Sequence, residues 1–276
     1  MHALLGGVDH RANNRFYEKL YKDSMTTAVR YNLFRPMTPD NADILVSGEI
    51  RKSSAVSEAK LDPAGQHLGC FTGGMFALGS KLFGISDHLE IAKKLTNGCI
   101  WTYKAMPLGI MPEKFRMVRC DPTLECTWNE TRWKEGVADE NPGKDAEETI
   151  ESKRLPEGFT ELVDRRYILR PEAIESVFIL YRVTGNEYLL EAAWEMFTAI
   201  ASLTETPLAN AALSDISYAK ADLETHDIQV DSMESFWMAE TLKYFYLIFS
   251  EPDVISLDEW VFNTEAHPFR RRLPNG

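Results

Sequence analysis

The sequence has no run of about 18 to 20 apolar residues, which is the length that a membrane-spanning helix needs. Its most apolar stretch, residues 236–249, is interrupted by Glu240 and Lys243. Residues 1–11 also lack the basic and then apolar pattern of a signal peptide. We therefore expect no membrane segment in this chain. Either the protein is not secreted, or its targeting signal lies outside this sequence.

Positive charge is also scarce. The chain has 30 Lys and Arg against 42 Asp and Glu, which gives a formal charge of -12 and a pI near 5.1. Such a chain repels a phosphate backbone, so nucleic acid is excluded as an expected partner. In contrast, 44% of the residues are hydrophobic and 11% are aromatic, which is enough for one large core.

Two kinds of metal motif are missing. None of the four cysteines, Cys70, Cys99, Cys120 and Cys126, forms the C-x-x-C pair of a zinc or thioredoxin site. The sequence also has no EF-hand loop, so a calcium site would have to be assembled from separate segments. The even number of cysteines permits two disulfides. The closeness of Cys120 and Cys126 is the only reason to pair those two.

Helical periodicity dominates the rest of the chain. Apolar stripes predict helices around residues 16–29 and 89–103. Pro171 and Gly185 mark the ends of a helix over residues 171–183. Further helices are predicted over residues 187–203 and 232–249, the last apolar on nearly every side and therefore expected to be buried. These elements favour an all-α fold of helical hairpins over any sheet fold.

Two regions depart from this pattern. Residues 44–46 and 114–118 are short enough to be turns or small hairpins. Residues 120–157 are polar and carry no periodicity, so we expect a surface excursion between two helical blocks within a single domain, residues 1–276.

Several acids stand in positions that suggest chemistry. Glu172 and Glu175 lie three apart at a predicted helix start, where they share a face and feel the helix dipole. Taken alone, however, helix capping by first-turn acids and a local pair with Arg170 explain them better. Glu240 lies in a very apolar helix, so its carboxylate needs partners, and Lys243 one turn later could be a purely structural one.

The segment Asn263-Thr264-Glu265-Ala266-His267-Pro268 concentrates oxygen donors near the end of the chain. Its composition predicts a turn. Calcium takes six to eight oxygen ligands, and a threonine offers both a hydroxyl and a carbonyl oxygen.

Four stretches in order resemble motifs of glycoside hydrolase family 47, the class I α-1,2-mannosidases. They are His67-Leu68-x-Cys70-Phe71 with Gly74, then Leu169-Arg170-Pro171-Glu172-x-x-Glu175-Ser176, then Met233-Glu234-Ser235-Phe236 with Glu240-Thr241, and finally residues 261–268. The similarity extends from Tyr17 almost to Pro268 and weakens only in the excursion.

The resemblance implies a role for each matched residue. Glu172 corresponds to the general base and Thr264 to the ligand of a Ca²⁺ cofactor. The residues that correspond to positions binding substrate or water are Arg170, Glu175, Phe236, Glu240, Glu265 and His67. Phe236 would stack on the terminal mannose. Cys70 and Cys99 correspond to a structural disulfide, which indicates an oxidising compartment. A structural histidine would explain His67 equally well.

The resemblance also implies an all-α, partial (α/α)7 barrel with a few short hairpin strands, and a high-mannose N-glycan as the substrate. In the family, the general acid and a second catalytic aspartate precede the segment that matches residues 1–7. We therefore expect an inverting 1,2-α-mannosidase that lacks the N-terminal helices of the barrel and is inactive by itself. The alternative is a non-catalytic remnant that binds calcium and mannose. The implied location is the endoplasmic reticulum, the Golgi or the exterior.

Overall fold

The computed structural model describes residues 10–51, 60–121, 123 and 125–271, with side chains from residue 15 onward. Residues 1–9, on which part of the signal-peptide argument rests, lie outside the described residues. The helices are α1 His10–Tyr31, α2 Phe71–Phe83, α3 Ser86–Ala105, α4 Glu130–Glu140, α5 Ala146–Ser152, α6 Glu172–Thr184, α7 Tyr188–Thr204 and α8 Leu242–Ile248. Short 3₁₀ turns cover Leu68–Cys70 and Lys220–Glu224, and a π-helical turn covers Trp237–Thr241.

The strands are short and form small antiparallel sheets. They are β1 Leu33–Phe34, β2 Val46–Ser47, β3 Glu49–Arg51, β4 Lys60–Asp62, β5 Ala64–Gln66, β6 Lys114–Met117, β7 Phe159–Asp164, β8 Ala212–Leu213, β9 Gln229–Val230, β10 Trp260–Phe262 and β11 Pro268–Arg270. The pairs are β1 with β2, β3 with β4, β8 with β9 and β10 with β11. The three-stranded sheet has the order β5, β6, β7.

Helical hairpins organise the core, as predicted. Helices α2 and α3 pack against each other and against α6, whose residues from Glu172 to Leu180 are all buried. Helix α6 begins directly after Pro171, which occupies the N-cap position, and is followed by Gly185, whose φ of 67° is the left-handed conformation that glycine favours. The sequence therefore located this helix to within one residue, and it is the central element of the fold.

The C-terminal helix differs from its prediction. The expected helix over residues 232–249 is reduced to the π-helical turn and α8, and its apolar surface is not fully buried. Met238, Tyr246 and Phe249 have 63%, 68% and 46% of their surfaces exposed. Hydrophobic content alone did not distinguish a buried helix from one with an apolar outer face, because periodicity is weak where nearly every position is apolar.

The polar region 120–157 contains more regular structure than its composition predicts. Helices α4 and α5 both lie within it, and Trp133 of α4 is buried with its indole N–H donating to the carbonyl of Phe159 at 2.9 Å. Asn129 and Asp145 cap the two helices through their side chains. These caps and one buried aromatic stabilise short helices that carry little apolar periodicity.

Helix α1 confirms the first predicted stripe only in part. Tyr21 and Met25 are buried, whereas Phe16, Leu20 and Val29 are 61%, 48% and 40% exposed. Within the part of the chain that the structure describes, no helix is both long and apolar enough to span a bilayer.

Candidate functional site

The candidate site is built around the start of α6. Residue Leu169, just before it, has a φ of 69°, which is rare for a non-glycine residue and is found most often where structure is constrained. Thr241 of the π-helical turn donates a hydrogen bond from its hydroxyl to the Leu169 carbonyl at 2.7 Å. This contact holds the segment that carries Arg170 and Glu172 against the C-terminal helix.

Glu172 is nearly enclosed, with 11% of its side chain exposed. Nδ1 of His67 lies 3.3 Å from Oε2, and a guanidinium nitrogen of Arg170 lies 3.5 Å from Oε1. Burial acts to raise the pKa of Glu172, but the hydrogen bond and charge of His67, together with Arg170, outweigh it and leave the pKa below its ordinary value. This carboxylate is therefore ionised at neutral pH and in contact with solvent along one edge.

Arg170 is oriented by a residue that was not predicted. Its Nε donates to Oε2 of Glu113, whose side chain is 9% exposed and whose other oxygen accepts the backbone N–H of Ile168 at 3.3 Å. The Arg170 guanidinium also lies 5.8 Å from the ring centre of Phe236. Glu113 follows an apolar stretch, residues 106–112, and an acid in that setting is a signal that could have identified it.

Glu175 lies one turn further along α6 and is buried. The Tyr244 hydroxyl donates to its Oε1 at 3.1 Å. Burial, with the neighbouring charges of Glu172 and Glu240, raises the pKa of Glu175 to about 8, although the tyrosine hydrogen bond lowers it. Glu175 is thus largely protonated at pH 7 in the metal-free chain, in contrast to Glu172 three residues before it.

Glu240 lies on the π-helical turn and is half-buried. Burial and the charges of Glu172 and Glu265 raise its pKa to about 7. Lys243, considered as a structural partner, donates instead to the carbonyl of Ala266 at 2.8 Å and lowers the Glu240 pKa only through its charge. A structural pair with Lys243 therefore does not account for Glu240.

The turn predicted near the C-terminus is present between β10 and β11. Oδ1 of Asn263 accepts the backbone N–H groups of Glu265 and His267, and Ala266 is buried with a φ of 53°. This arrangement leaves Thr264 and Glu265 exposed. Glu265 is close enough to Glu240 to raise its pKa, so the turn faces the same group of carboxylates.

The structure thus brings together most of the residues that the sequence singled out. Electrostatic coupling connects Glu172, Glu175, Glu240 and Glu265, and direct contacts connect Glu172 to His67 and Arg170. Thr264 precedes Glu265 in the sequence and is therefore next to a member of this group of carboxylates. Among residues 10–51, 60–121, 123 and 125–271, no group of three or more His, Cys, Asp or Glu side chains is arranged to hold a metal.

The implied disulfide between Cys70 and Cys99 is present, with the Cα atoms 6.0 Å apart. It connects the 3₁₀ turn that follows His67 to α3. A second disulfide connects Cys120 and Cys126, the pair that had only proximity in its favour.

Known proteins resemble this chain over nearly its whole length. The family model described as glycosyl hydrolase family 47 matches residues 2–271. A mannosyl-oligosaccharide alpha-1,2-mannosidase IA from Spodoptera frugiperda is 32% identical over 275 residues, which is 99% of this chain and 33% of that protein. The mannosyl-oligosaccharide 1,2-alpha-mannosidase IB of Homo sapiens is 31% identical over 277 residues, 97% of this chain and 36% of that protein.

The solved structure of an alpha-1,2-mannosidase from Trichoderma reesei has the same architecture, with a TM-score of 0.72 and 29% identity over 93% of this chain and 47% of that one. This match confirms the predicted fold class, a helical fold corresponding to part of an (α/α)7 barrel. The chain spans about a third of the length of the two curated relatives named above.

Proposed function

Because the chain belongs to glycosyl hydrolase family 47, we propose that it forms the part of a 1,2-α-mannosidase that holds a terminal mannose and supplies the base for inverting hydrolysis. The substrate would be a high-mannose N-glycan. The observation that supports this most directly is the state of Glu172, an ionised carboxylate that is almost enclosed yet touches solvent.

The base must take a proton from water while the water oxygen attacks the anomeric carbon and the glycosidic bond breaks. Glu172 suits this step because His67 and Arg170 hold both of its oxygens and keep it ionised. The departing oxygen takes its proton from a second carboxyl group in an inverting enzyme, and we assign no residue of this chain to that role.

The sugar would be held by the groups around the base. We propose that Phe236 stacks on the ring and that Arg170, Glu175, Glu240, Glu265 and His67 bind its hydroxyls or ordered water. Arg170 is already fixed by Glu113 and close to Phe236. A site oriented before substrate arrives loses less conformational entropy on binding.

The donor set also fits Ca²⁺, which we propose binds at Thr264. The nearby donors are oxygens, and burial together with the charges of Glu172 and Glu265 raises the pKa of Glu240. A hard cation beside these carboxylates would favour their ionised forms. Since no protein cluster of three acidic, His or Cys ligands is formed in the described residues, waters held by the acids would complete the coordination. The bound ion would orient sugar hydroxyls.

We propose a place in the secretory pathway. Two disulfides support it, because such bonds persist in oxidising compartments.

The Glu172→Gln variant tests the proposal. In a protein that carries the whole catalytic domain of the family, we expect it to lower the release of mannose from an α-1,2-linked disaccharide by ~10² to 10⁴-fold. Calorimetric binding of the same disaccharide with Ca²⁺ should change little, because the amide keeps the shape of the side chain. Glu195→Gln, an exposed glutamate paired with Lys104, is the control.

Undiminished turnover in Glu172→Gln would contradict the assignment of the base. Disaccharide binding without any turnover in the wild-type domain would favour the alternative, a calcium-dependent mannose-binding protein.

A further inference from the structure

A short sequence motif at the start of α4 has no part in the candidate site. Asn129-Glu130-Thr131 is the one Asn-x-Ser/Thr triplet in the sequence. Such triplets, when the middle residue is not proline, accept N-linked oligosaccharides in proteins that pass through the secretory pathway. They also arise by chance, and a glycan fits the folded chain only where the asparagine remains on the surface.

All three residues of the triplet lie on the surface. The carboxylate of Glu130 has 62% of its side chain exposed and pairs with Lys134 one turn further along α4. The helix contacts the core beyond the triplet, through the buried side chains of Trp133 and Val137. A group added at Asn129 therefore displaces no buried side chain of α4.

The side-chain amide of Asn129 is oriented for modification. Its Oδ1 accepts the backbone N–H of Arg132 at 3.0 Å, which caps α4. A backbone N–H only donates, so the atom that faces the helix is the amide oxygen and not the nitrogen. Nδ2, the atom to which a glycan is attached, lies on the other side of the amide. Within the described part of the chain, Nδ2 has no hydrogen-bond partner.

This orientation makes the helix cap and a glycan compatible. An asparagine that carries a glycan on Nδ2 keeps its carbonyl oxygen, and the cap uses that oxygen alone. The backbone of Asn129 is extended, with φ of -141° and ψ of 105°, so the residue lies outside the helical turn that it caps. Modification of Nδ2 therefore leaves the hydrogen bond that begins α4 intact.

We propose that Asn129 is an N-glycosylation site and that the folded chain carries the glycan on Nδ2 while Oδ1 still caps α4. The donor is an oligosaccharide linked to a lipid diphosphate. A bond forms between Nδ2 and the anomeric carbon of the first sugar, and the bond from that carbon to the diphosphate oxygen breaks. The lipid diphosphate leaves with the electron pair, and Nδ2 loses one proton.

The natural occurrence of this modification rests on the proposed place in the secretory pathway. The Cys120–Cys126 disulfide, which ends three residues before Asn129, provides an independent marker of that compartment. Glycan transfer and disulfide formation are different reactions, so the state of the cysteines reports whether the chain entered an oxidising compartment even where no glycan was added.

The test is expression of the full chain behind a cleavable signal peptide in a eukaryotic host. The mass of the intact protein is measured before and after an endoglycosidase that removes N-glycans, and free thiols are measured with a thiol reagent. In the wild type we expect one removable glycan on chains that have no free thiol. Thr131→Ala and Asn129→Asp should each lose the glycosylated form. Aspartate is itself a good N-cap, so Asn129→Asp keeps α4.

Thr131→Ser and Thr127→Ala are the controls. Serine preserves the triplet, and Thr127 is an exposed threonine outside it, so both variants should be glycosylated like the wild type. A glycan that persists in Thr131→Ala or Asn129→Asp would overturn the proposal. An unmodified wild type whose cysteines are oxidised would also overturn it, as would a glycan found only on chains with free thiols, because the folded chain would then not accept it.

Failure of the proposed function would look different. The glycosylated wild-type chain with Ca²⁺ would bind no α-1,2-linked mannose disaccharide, while its glycan and disulfides would be as expected. If the proposed place in the secretory pathway is wrong, the protein isolated from its own cells would be unmodified at Asn129, whereas the chain delivered by a signal peptide would carry the glycan.

Discussion

Glu175 should make the stability of the metal-free chain depend strongly on pH, and Glu175→Gln should remove that dependence. The folded chain holds the pKa of Glu175 at about 8, against an ordinary value of 4.5, because the side chain is buried. Between these two pH values the folded chain keeps a proton on Glu175 that the unfolded chain has lost. The stability that the protonated group contributes is therefore complete below about pH 4.5 and is lost as pH rises through about 8.

The difference between the folded and the ordinary pKa of Glu175 sets the size of the effect. At ~1.4 kcal/mol per pH unit, this difference gives an upper bound on the order of 5 kcal/mol for the change in the free energy of unfolding. Gln cannot ionise, and its carbonyl can still accept the hydrogen bond from Tyr244. We expect wild type and Glu175→Gln to be similarly stable near pH 5, and the variant to be more stable by ~3 to 5 kcal/mol at pH 8.

The assay is urea unfolding at pH 5, 6.5 and 8 with a metal chelator present, followed by circular dichroism. The difference between the two proteins cancels groups that titrate equally in both. Glu195→Gln, on the surface of α7, should show no comparable trend. A difference between wild type and Glu175→Gln that does not change with pH would refute the reasoning, since Glu175 would then titrate as an ordinary exposed glutamate.

Two further predictions concern the calcium turn and the disulfides. Thr264→Ala should reduce the rise in Tm that Ca²⁺ produces, because a ligand that binds the native state stabilises it by mass action. The control is Thr127→Ala, which changes another exposed threonine. An undiminished calcium response in Thr264→Ala would remove Thr264 from the site. Replacing Cys70 and Cys99 by Ala should lower the free energy of unfolding by about 3 to 4 kcal/mol, since that disulfide closes a loop with a sequence separation of 29. Removing the Cys120–Cys126 disulfide, with a separation of 6, should cost about 2 kcal/mol, and the opposite order in urea unfolding would contradict the loop-length argument.

Local patterns predicted the elements with clear ends and clear periodicity. Pro171 and Gly185 delimit α6 because each restricts the backbone in a known way, whatever the rest of the chain does. Helices α4 and α5 were missed, because a buried tryptophan and two capping side chains stabilise them rather than a repeated apolar face. The prediction of a fully buried C-terminal helix was wrong for the opposite reason, since a uniformly apolar segment carries little information about which face is covered.

For the candidate site, motif order selected Glu172, Glu175, Glu240 and the turn at Thr264 from the sequence, and the structure places the glutamates near one another. Their roles in binding and catalysis stay predictions. The sequence did not select Glu113, which holds Arg170 through a hydrogen bond. Glu113 is far in sequence from Arg170, and no local spacing indicates such a pair.

The sequence by itself therefore determined the family, the helical character of the chain and the identity of the carboxylates. Only the tertiary structure decided that Glu172 is ionised while Glu175, three residues later on the same helix, has a pKa of about 8. The two side chains have the same intrinsic chemistry. Their difference arises from burial and from the distances to His67, Arg170, Tyr244 and Glu240, and these quantities exist only once distant segments have packed together.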